Sequence, residues 1–173
     1  PHYTRPQVLG FRDGRPNVLL LVLESVRHDV LGSYAATGSG APSDTPHLDR
    51  IAREGWRFEK AYTTIPHTSK ALVGIYCGTF PRFETDISEA VAGNLPLTCL
   101  PHLLASAGYA SAHFQTPPGS FEDRLTFLSN VGFEHRFTQE SIEGGNWTKL
   151  GYLGVDDRAM VAPAVDWMRR KSQ

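Results

Sequence analysis

The sequence has little of several features that define specialised protein classes. Its 173 residues include only two cysteines, Cys77 and Cys99, which can pair but are too few for a disulfide scaffold and lack metal-ligand spacing. Lys and Arg number 17 against 18 Asp and Glu, so the basic surplus of nucleic-acid-binding domains is absent. The longest apolar run, residues 18–23, is far shorter than the roughly 20 residues of a membrane span. We therefore predict no nucleic-acid partner and no membrane span.

Motifs of several common catalytic sites are also missing. Residues 38–40 (GSG) lack the third glycine and the preceding strand of a dinucleotide-binding loop, and no Gly-Lys-Ser/Thr sequence is present. The Gly-x-Ser-x-Gly turn of α/β-hydrolases is absent as well. A composition of 40% hydrophobic and 20% charged residues is nevertheless that of an ordinary globular domain.

Predicted strands and helices alternate along the chain. Residues 17–23 are continuously apolar, which is typical of a strand buried on both faces. Further strands are predicted over residues 56–62, 109–114 and 133–137, and helices are predicted to begin near Thr45, Thr68, Thr98, Phe121 and Asp156. Pro163 is expected to kink the last helix or to mark its start, and Gly144-Gly145 is expected to be a loop. This order predicts an α/β fold with a mostly parallel sheet and helices on both faces.

Two polar residues follow predicted strands, where sites gather in open α/β sheets. Glu24 ends the first apolar run, and Thr68 precedes the helix that follows the second strand. A carboxylate at the end of a buried strand is compensated by a metal, by solvent or by a cation such as Arg27. Taken alone, Glu24 is better explained by solvent or an ion pair.

Thr68 lies where backbone N–H groups and the positive end of a helix would hold an anion. Its hydroxyl is then a candidate nucleophile, Lys70 adds a positive charge, and His67 can carry a proton or contact substrate. The alternative is that Thr68 or Ser69 only caps the helix, which is the commoner role of Ser and Thr at this position. For Arg27, Asp29, His113 and Arg124, a salt bridge or surface role is the default.

A series of short motifs runs along most of the chain. The series begins with residues 16–29 (PNVLLLVLESVRHD) and 45–50 (TPHLDR). It continues with residues 55–58 (GWRF), 68–70 (TSK), 78–81 (GTFP), 100–104 (LPHLL) and 107–109 (AGY). In its motifs and their order, the series resembles the sulfatase-like branch of the alkaline phosphatase superfamily. The resemblance covers nearly the whole chain from Pro16 onward and implies an alkaline-phosphatase-like fold, preceded by a lead-in over residues 1–15.

This resemblance implies hydrolysis or transfer of sulfate or phosphate esters with a divalent metal ion, Mn, Mg, Ca or Zn. Glu24 and Thr68 would be metal ligands, and Thr68, His67 and Lys70 would be the catalytic residues. The Cys-x-Pro-x-Arg motif that yields formylglycine in sulfatases is absent from residues 68–72 (TSKAL), so formylglycine chemistry is doubtful. Glu24-Ser25 and a Thr nucleophile are closer to lipoteichoic acid synthases and phosphoethanolamine transferases. The alternative is a non-catalytic domain that binds an anionic glycan or a lipid headgroup.

The family's later metal ligands, an Asp-His or similar pair, have no counterpart here. Residues 16–173 are therefore interpreted as the amino-terminal part of a larger catalytic domain, inactive by itself. We expect self-association or a complementary carboxyl-terminal part to cover its apolar surfaces. The expected partner otherwise is a small-molecule, lipid or glycan ester. The residues leave the compartment open, and the resemblance is compatible with an extracytoplasmic or membrane-associated location.

Overall fold

The computed structural model of the protein describes residues 16–34, 43–143, 146–151 and 153–171. The chain divides into two compact units, Pro1–Trp56 and Arg57–Gln173. The described residues form the helices α1 (Pro46–Glu54), α2 (Thr68–Cys77), α3 (Leu100–Ser106), α4 (Arg124–Val131) and α5 (Arg158–Lys171). They also form the strands β1 (Ala112–Phe114), β2 (His135–Phe137), β3 (Lys149–Leu150) and β4 (Gly154–Val155).

In the first unit, the helix predicted at Thr45 is confirmed. Pro46 occupies the first turn of α1, and the helix ends at Gly55. Asp49 is buried, and its carboxylate accepts a hydrogen bond of 2.7 Å from the backbone N–H of Ser33. This bond ties α1 to the preceding 3₁₀ turn, Gly32–Tyr34.

The strand predicted over residues 17–23 is not formed. The backbone there has no regular secondary structure, and Leu19 and Leu21 are 72% and 62% exposed. No strand of the described residues pairs with this run, because the two sheets contain only β1 with β2 and β3 with β4. An apolar run indicates a tendency to be buried, but a strand also needs a hydrogen-bonded neighbour.

The core of the second unit lies between α2 and α4. Both helices end as predicted at glycines, Gly78 and Gly132, which adopt left-handed conformations that favour glycine. The buried apolar residues of this core are Leu72, Val73, Tyr76, Ala90, Cys99, Phe127, Leu128 and Val131. Because the core lies against α2, it fixes the position of the predicted nucleophile at the start of that helix.

The strands of the second unit form two small sheets. β1 pairs in parallel with β2, with Ala112 opposite His135 and Phe114 opposite Phe137. β3 and β4 are antiparallel. The predicted strand over residues 56–62 is not formed, since its backbone is irregular and Trp56 and Tyr62 are 75% and 87% exposed. The predicted loop at residues 144–145 lies outside the described residues.

A disulfide joins the end of α2 to the start of α3. Cys77 is the last residue of α2, and Cys99, which is fully buried, is the residue before α3. Their Cα atoms are 4.0 Å apart, and the two cysteines are 22 positions apart in sequence. The bond therefore holds together two helices that both contact α4.

Gly132 has a packing role as well as a conformational one. Its φ is 99°, and a Cβ placed on it would lie 2.6 Å from the imidazole of His102 on α3. The ring of His102 thus rests against the glycine backbone, which brings the end of α4 close to α3.

The last helix forms near the predicted position. The Asp156 carboxylate accepts a 2.9 Å hydrogen bond from the backbone N–H of Arg158, the first residue of α5. Pro163 lies inside this helix and does not mark its start.

Candidate active site at the start of helix α2

The Thr68 hydroxyl does not cap its helix. Thr68 is the first residue of α2, and His67 is the residue before it, at the N-cap position. The backbone N–H of Ala71 bonds to the carbonyl of His67 at 2.8 Å, which closes the first turn. Within the described part of the chain, the Thr68 hydroxyl has no hydrogen-bond partner, although the side chain is half-buried.

The two residues that flank Thr68 both lie against Glu122. The Ser69 hydroxyl, fully buried, donates a 2.5 Å hydrogen bond to Oε2 of Glu122. Nε2 of His67 lies 3.5 Å from Oε1 of the same carboxylate. The guanidinium of Arg124, which is 3% exposed, lies 3.4 Å from Oε2. Thr68 is thus followed and preceded by side chains that share one acidic partner.

Lys70 points into the protein, away from solvent. Its ammonium lies 3.1 Å from Oε2 of Glu89 and donates a 3.0 Å hydrogen bond to the carbonyl of Arg82. Both charged side chains are only 2% exposed. Burial alone would raise the pKa of Glu89, but hydrogen bonds from backbone N–H groups and from Lys70 outweigh it and hold that pKa below its usual value. The charge of Lys70 is therefore largely compensated.

Farther along α2, Tyr76 lies on the β1–β2 sheet. Its hydroxyl is 3.2 Å from Nδ1 of His113, and Nε2 of His113 is 3.3 Å from the side-chain oxygen of Gln115. Burial lowers the pKa of His113 to about 4, against the effect of the Gln115 hydrogen bond, and the charge of Arg124 adds to the lowering. Burial also raises the pKa of Tyr76 to about 12. Both groups are therefore neutral at pH 7. The contacts of His113 with Tyr76 and Gln115 give it a structural role.

Glu24 lies in the first unit, whereas Thr68 belongs to the second. The Glu24 side chain is exposed and accepts a 3.0 Å hydrogen bond from the hydroxyl of Ser25, which has a φ of 56°. Arg27 does not pair with Glu24 but forms an exposed ion pair with Asp29. The Glu24 carboxylate is thus not neutralised by its neighbouring cation.

The donor chemistry of Glu24 and Thr68 fits a hard divalent cation, which prefers carboxylate and hydroxyl oxygens. These two side chains are fewer than the ligands such an ion needs. In the stretches that the structure describes, no group of three or more His, Cys, Asp or Glu residues is arranged to hold a metal ion. The shared cation therefore stays a prediction from the sequence.

Sequence reasoning missed Glu122 and Glu89. They lie 53 and 19 residues from their partners on α2, and neither belongs to a recognisable motif. Glu122 also has an unusual backbone, with a φ of 53°, which sequence patterns do not reveal for a non-glycine residue. For Arg124, the sequence predicts a salt bridge or a surface role, and the structure contains the salt bridge, from a buried Arg124 to Glu122.

Comparison with known proteins identifies relatives of the chain. Residues 16–173 match the family model described as Sulfatase. Over 110 residues the chain is 36% identical to N-acetylgalactosamine-6-sulfatase of Sus scrofa, in a match that covers 56% of this chain and 20% of that protein. The chain spans about a fifth of the length of the curated relatives it matches.

Solved structures show the fold. The lipoteichoic acid synthase LtaP from Listeria monocytogenes superposes with a TM-score of 0.64 at 23% identity, covering 74% of this chain and 31% of that one. A protein in the alkaline phosphatase superfamily from Vibrio parahaemolyticus gives a TM-score of 0.61 at 21% identity, covering 72% and 30%. The fold is therefore alkaline-phosphatase-like, as expected, while the mostly parallel sheet stays a prediction. No helix in the described ranges is both long and apolar enough to cross a membrane.

Proposed function

The chain belongs to the sulfatase family, and on that premise we propose that it carries the nucleophile of a metal-dependent hydrolase or transferase of sulfate or phosphate esters. Thr68 is the proposed nucleophile. The observation that carries this proposal is the Thr68 hydroxyl at the start of α2, which has no hydrogen-bond partner in the described residues, whereas Ser69 donates to Glu122 and His67 lies 3.5 Å from the same carboxylate.

The surroundings of Thr68 suit an anionic substrate. The first N–H groups of a helix have no partners within the helix, and they carry the positive end of its dipole. An ester oxyanion at the start of α2 would accept hydrogen bonds from these groups. Lys70 enters the proposal as a supporting charge, weakened because Glu89 compensates it.

The proposed reaction has two displacements. In the first, the Thr68 oxygen forms a bond to phosphorus or sulfur and its proton passes to a base, for which His67 is the candidate. The bond from phosphorus or sulfur to the leaving oxygen breaks, and that oxygen takes up a proton. In the second, water or an acceptor alcohol displaces Thr68, which regains a proton.

Glu24 and Thr68 would hold the divalent cation, together with ligands from elsewhere in the protein. When bound, such an ion supplies positive charge beside the attacking oxygen and the developing charge of the ester. The chain's own contribution is to present the hydroxyl at a fixed helix start. The small-molecule, glycan or lipid ester that serves as substrate is part of this proposal.

Thr68→Ala in the full-length protein tests the nucleophile. We expect turnover of aryl sulfate, aryl phosphate and bis-aryl phosphodiester to fall by about three orders of magnitude or more, as removal of a nucleophile does elsewhere. Steady-state rates with added Mn²⁺, and again after chelation, measure the effect. In the wild type, a phosphoryl or sulfuryl group trapped on the peptide that contains Thr68 is expected by mass spectrometry.

Thr79→Ala is the matched control, because Thr79 is exposed just beyond the other end of α2. Its rate should equal that of the wild type. A Thr68→Ala protein that turns over any of these esters at the wild-type rate would show that Thr68 is not the nucleophile. Retained binding of an anionic glycan or lipid headgroup without any turnover in the wild type would favour the non-catalytic alternative.

A further inference from the structure

We propose that Glu122 is a positioning residue that holds the two neighbours of Thr68 with one carboxylate. The inference rests on the proposed role of Thr68. Oε1 of Glu122 faces Nε2 of His67 at 3.5 Å, while Oε2 accepts the 2.5 Å hydrogen bond from Ser69. The carboxylate thus bridges the residue before the nucleophile and the residue after it.

The carboxylate is itself held in place. Arg124 lies 3.4 Å from Oε2, and its guanidinium is placed over the rings of Phe121 and Phe127 at 6.0 and 5.7 Å. A charged group at 3% exposure is costly to bury without an anionic partner, so Arg124 and Glu122 fix each other. Glu122 is therefore a rigid support for the start of α2.

The backbone of Glu122 and Asp123 adopts an unusual conformation. Glu122 and Asp123 have φ values of 53° and 49°, a conformation that non-glycine residues rarely adopt. Such a conformation persists only where surrounding contacts impose it, and it is often found near functional sites. Here it allows Glu122 to reach Ser69 from the turn that immediately precedes α4.

The contacts of Glu122 fix the orientation of the side chains on either side of Thr68. The Ser69 bond fixes the first turn of α2 in a core where Ser69 is fully buried. The contact with Oε1 fixes the His67 ring, whose Nδ1 is buried and has no hydrogen-bond partner among the described residues. Loss of the carboxylate should leave both flanking side chains free to rotate, and the hydroxyl between them would lose its defined direction. Small misplacements of reacting groups cost large factors in rate.

Glu122→Gln tests this role in the full-length protein. The amide keeps the shape of the side chain but is uncharged and has only one acceptor oxygen, so it cannot present a negatively charged oxygen to both Ser69 and His67. We expect kcat to fall by at least about tenfold while KM changes by less than about threefold. Ser69→Ala, which removes only one of the two contacts, should show a smaller loss in kcat, and the double variant should lose less than the product of the two single losses.

A second readout does not depend on activity. The ring ¹⁵N and ¹H resonances of His67, assigned with a His67→Gln variant, should move in Glu122→Gln and keep their position in Glu134→Gln. Glu134 is the matched control, because its side chain is 55% exposed and pairs with His135. Thermal unfolding of each variant checks that the fold is retained.

The outcomes separate the two proposals. If Thr68→Ala is inactive but Glu122→Gln has the wild-type kcat and unchanged His67 resonances, the positioning role is wrong and the nucleophile assignment stands. If turnover proves independent of Thr68, the proposed function fails, and the His67 resonances alone decide whether Glu122 holds this segment. A loss of stability without any movement of those resonances in folded Glu122→Gln would also overturn the positioning role.

Discussion

At the scale of single residues, the pair of Lys70 and Glu89 shows how a residue next to the proposed nucleophile can have a structural task. The ammonium and the carboxylate are 3.1 Å apart and almost wholly buried. A buried pair of this kind contributes little net stability compared with an apolar pair, but an unpaired member is very costly. From the sequence alone, Lys70 is predicted only to add a positive charge that helps to bind an anion.

Removal of one partner is therefore expected to destabilise the protein strongly. Lys70→Met or Glu89→Leu should each lower the free energy of unfolding by about 3–5 kcal/mol, because each leaves a buried charge without its partner. Denaturant-induced unfolding followed by circular dichroism measures this change.

The double variant Lys70→Met/Glu89→Leu should recover much of the loss, since neither charge remains. Glu84→Gln is the exposed control, with a side chain that is 47% exposed, and should change the unfolding free energy by less than about 0.5 kcal/mol. Additive losses in the double variant would contradict this account of the pair.

At the scale of elements, helices were predicted better than strands for a physical reason. The limits of α1 and α2 follow from local signals, namely Pro46 in the first turn of α1 and the stop at Gly78 after α2. The predicted strand over residues 17–23 depended on a partner that the residues themselves do not specify. The same distinction between local and long-range signals applies to the candidate site. Thr68 lies at a helix start that local signals predict, whereas Glu122 reaches the site only through tertiary folding.

The disulfide between α2 and α3 gives a prediction for these two elements. Its sequence separation of 22 corresponds to a stabilisation of about 3 kcal/mol in the chain-entropy account. The Cys77→Ala/Cys99→Ala variant should therefore unfold at lower denaturant concentration, as should the wild type after reduction. Comparison of the two under reducing and oxidising conditions checks the result, since only the wild type should respond to the reductant.

At the scale of the whole molecule, stability should depend on pH through His113. The unfolded imidazole takes up a proton near its ordinary pKa of 6.5, but burial lowers the folded pKa to about 4. Between these values the unfolded state binds more protons, so stability falls as the pH falls through this window. The lowered pKa of Glu89 has the same sign at still lower pH, since its contribution is lost as the carboxylate is protonated.

We expect the free energy of unfolding to decrease by about 3 kcal/mol between pH 7 and pH 4. Denaturant unfolding at a series of pH values measures the slope. His113→Gln, which keeps a polar side chain near Tyr76 but cannot titrate, should flatten the profile in this range. A wild-type profile that is already flat there would contradict the assignment of the buried neutral imidazole.

The contact between Gly132 and the His102 ring has a consequence for how such a sequence can diverge. A side chain at position 132 would place its Cβ 2.6 Å from the imidazole of His102. The residue would also have to adopt a φ of 99°, which strains any residue other than glycine. A smaller residue at position 102 relieves only the first obstacle. The strained φ remains even when both positions are mutated, so alanine is still unfavourable at position 132. We therefore expect related sequences to retain this glycine while the loops around it vary.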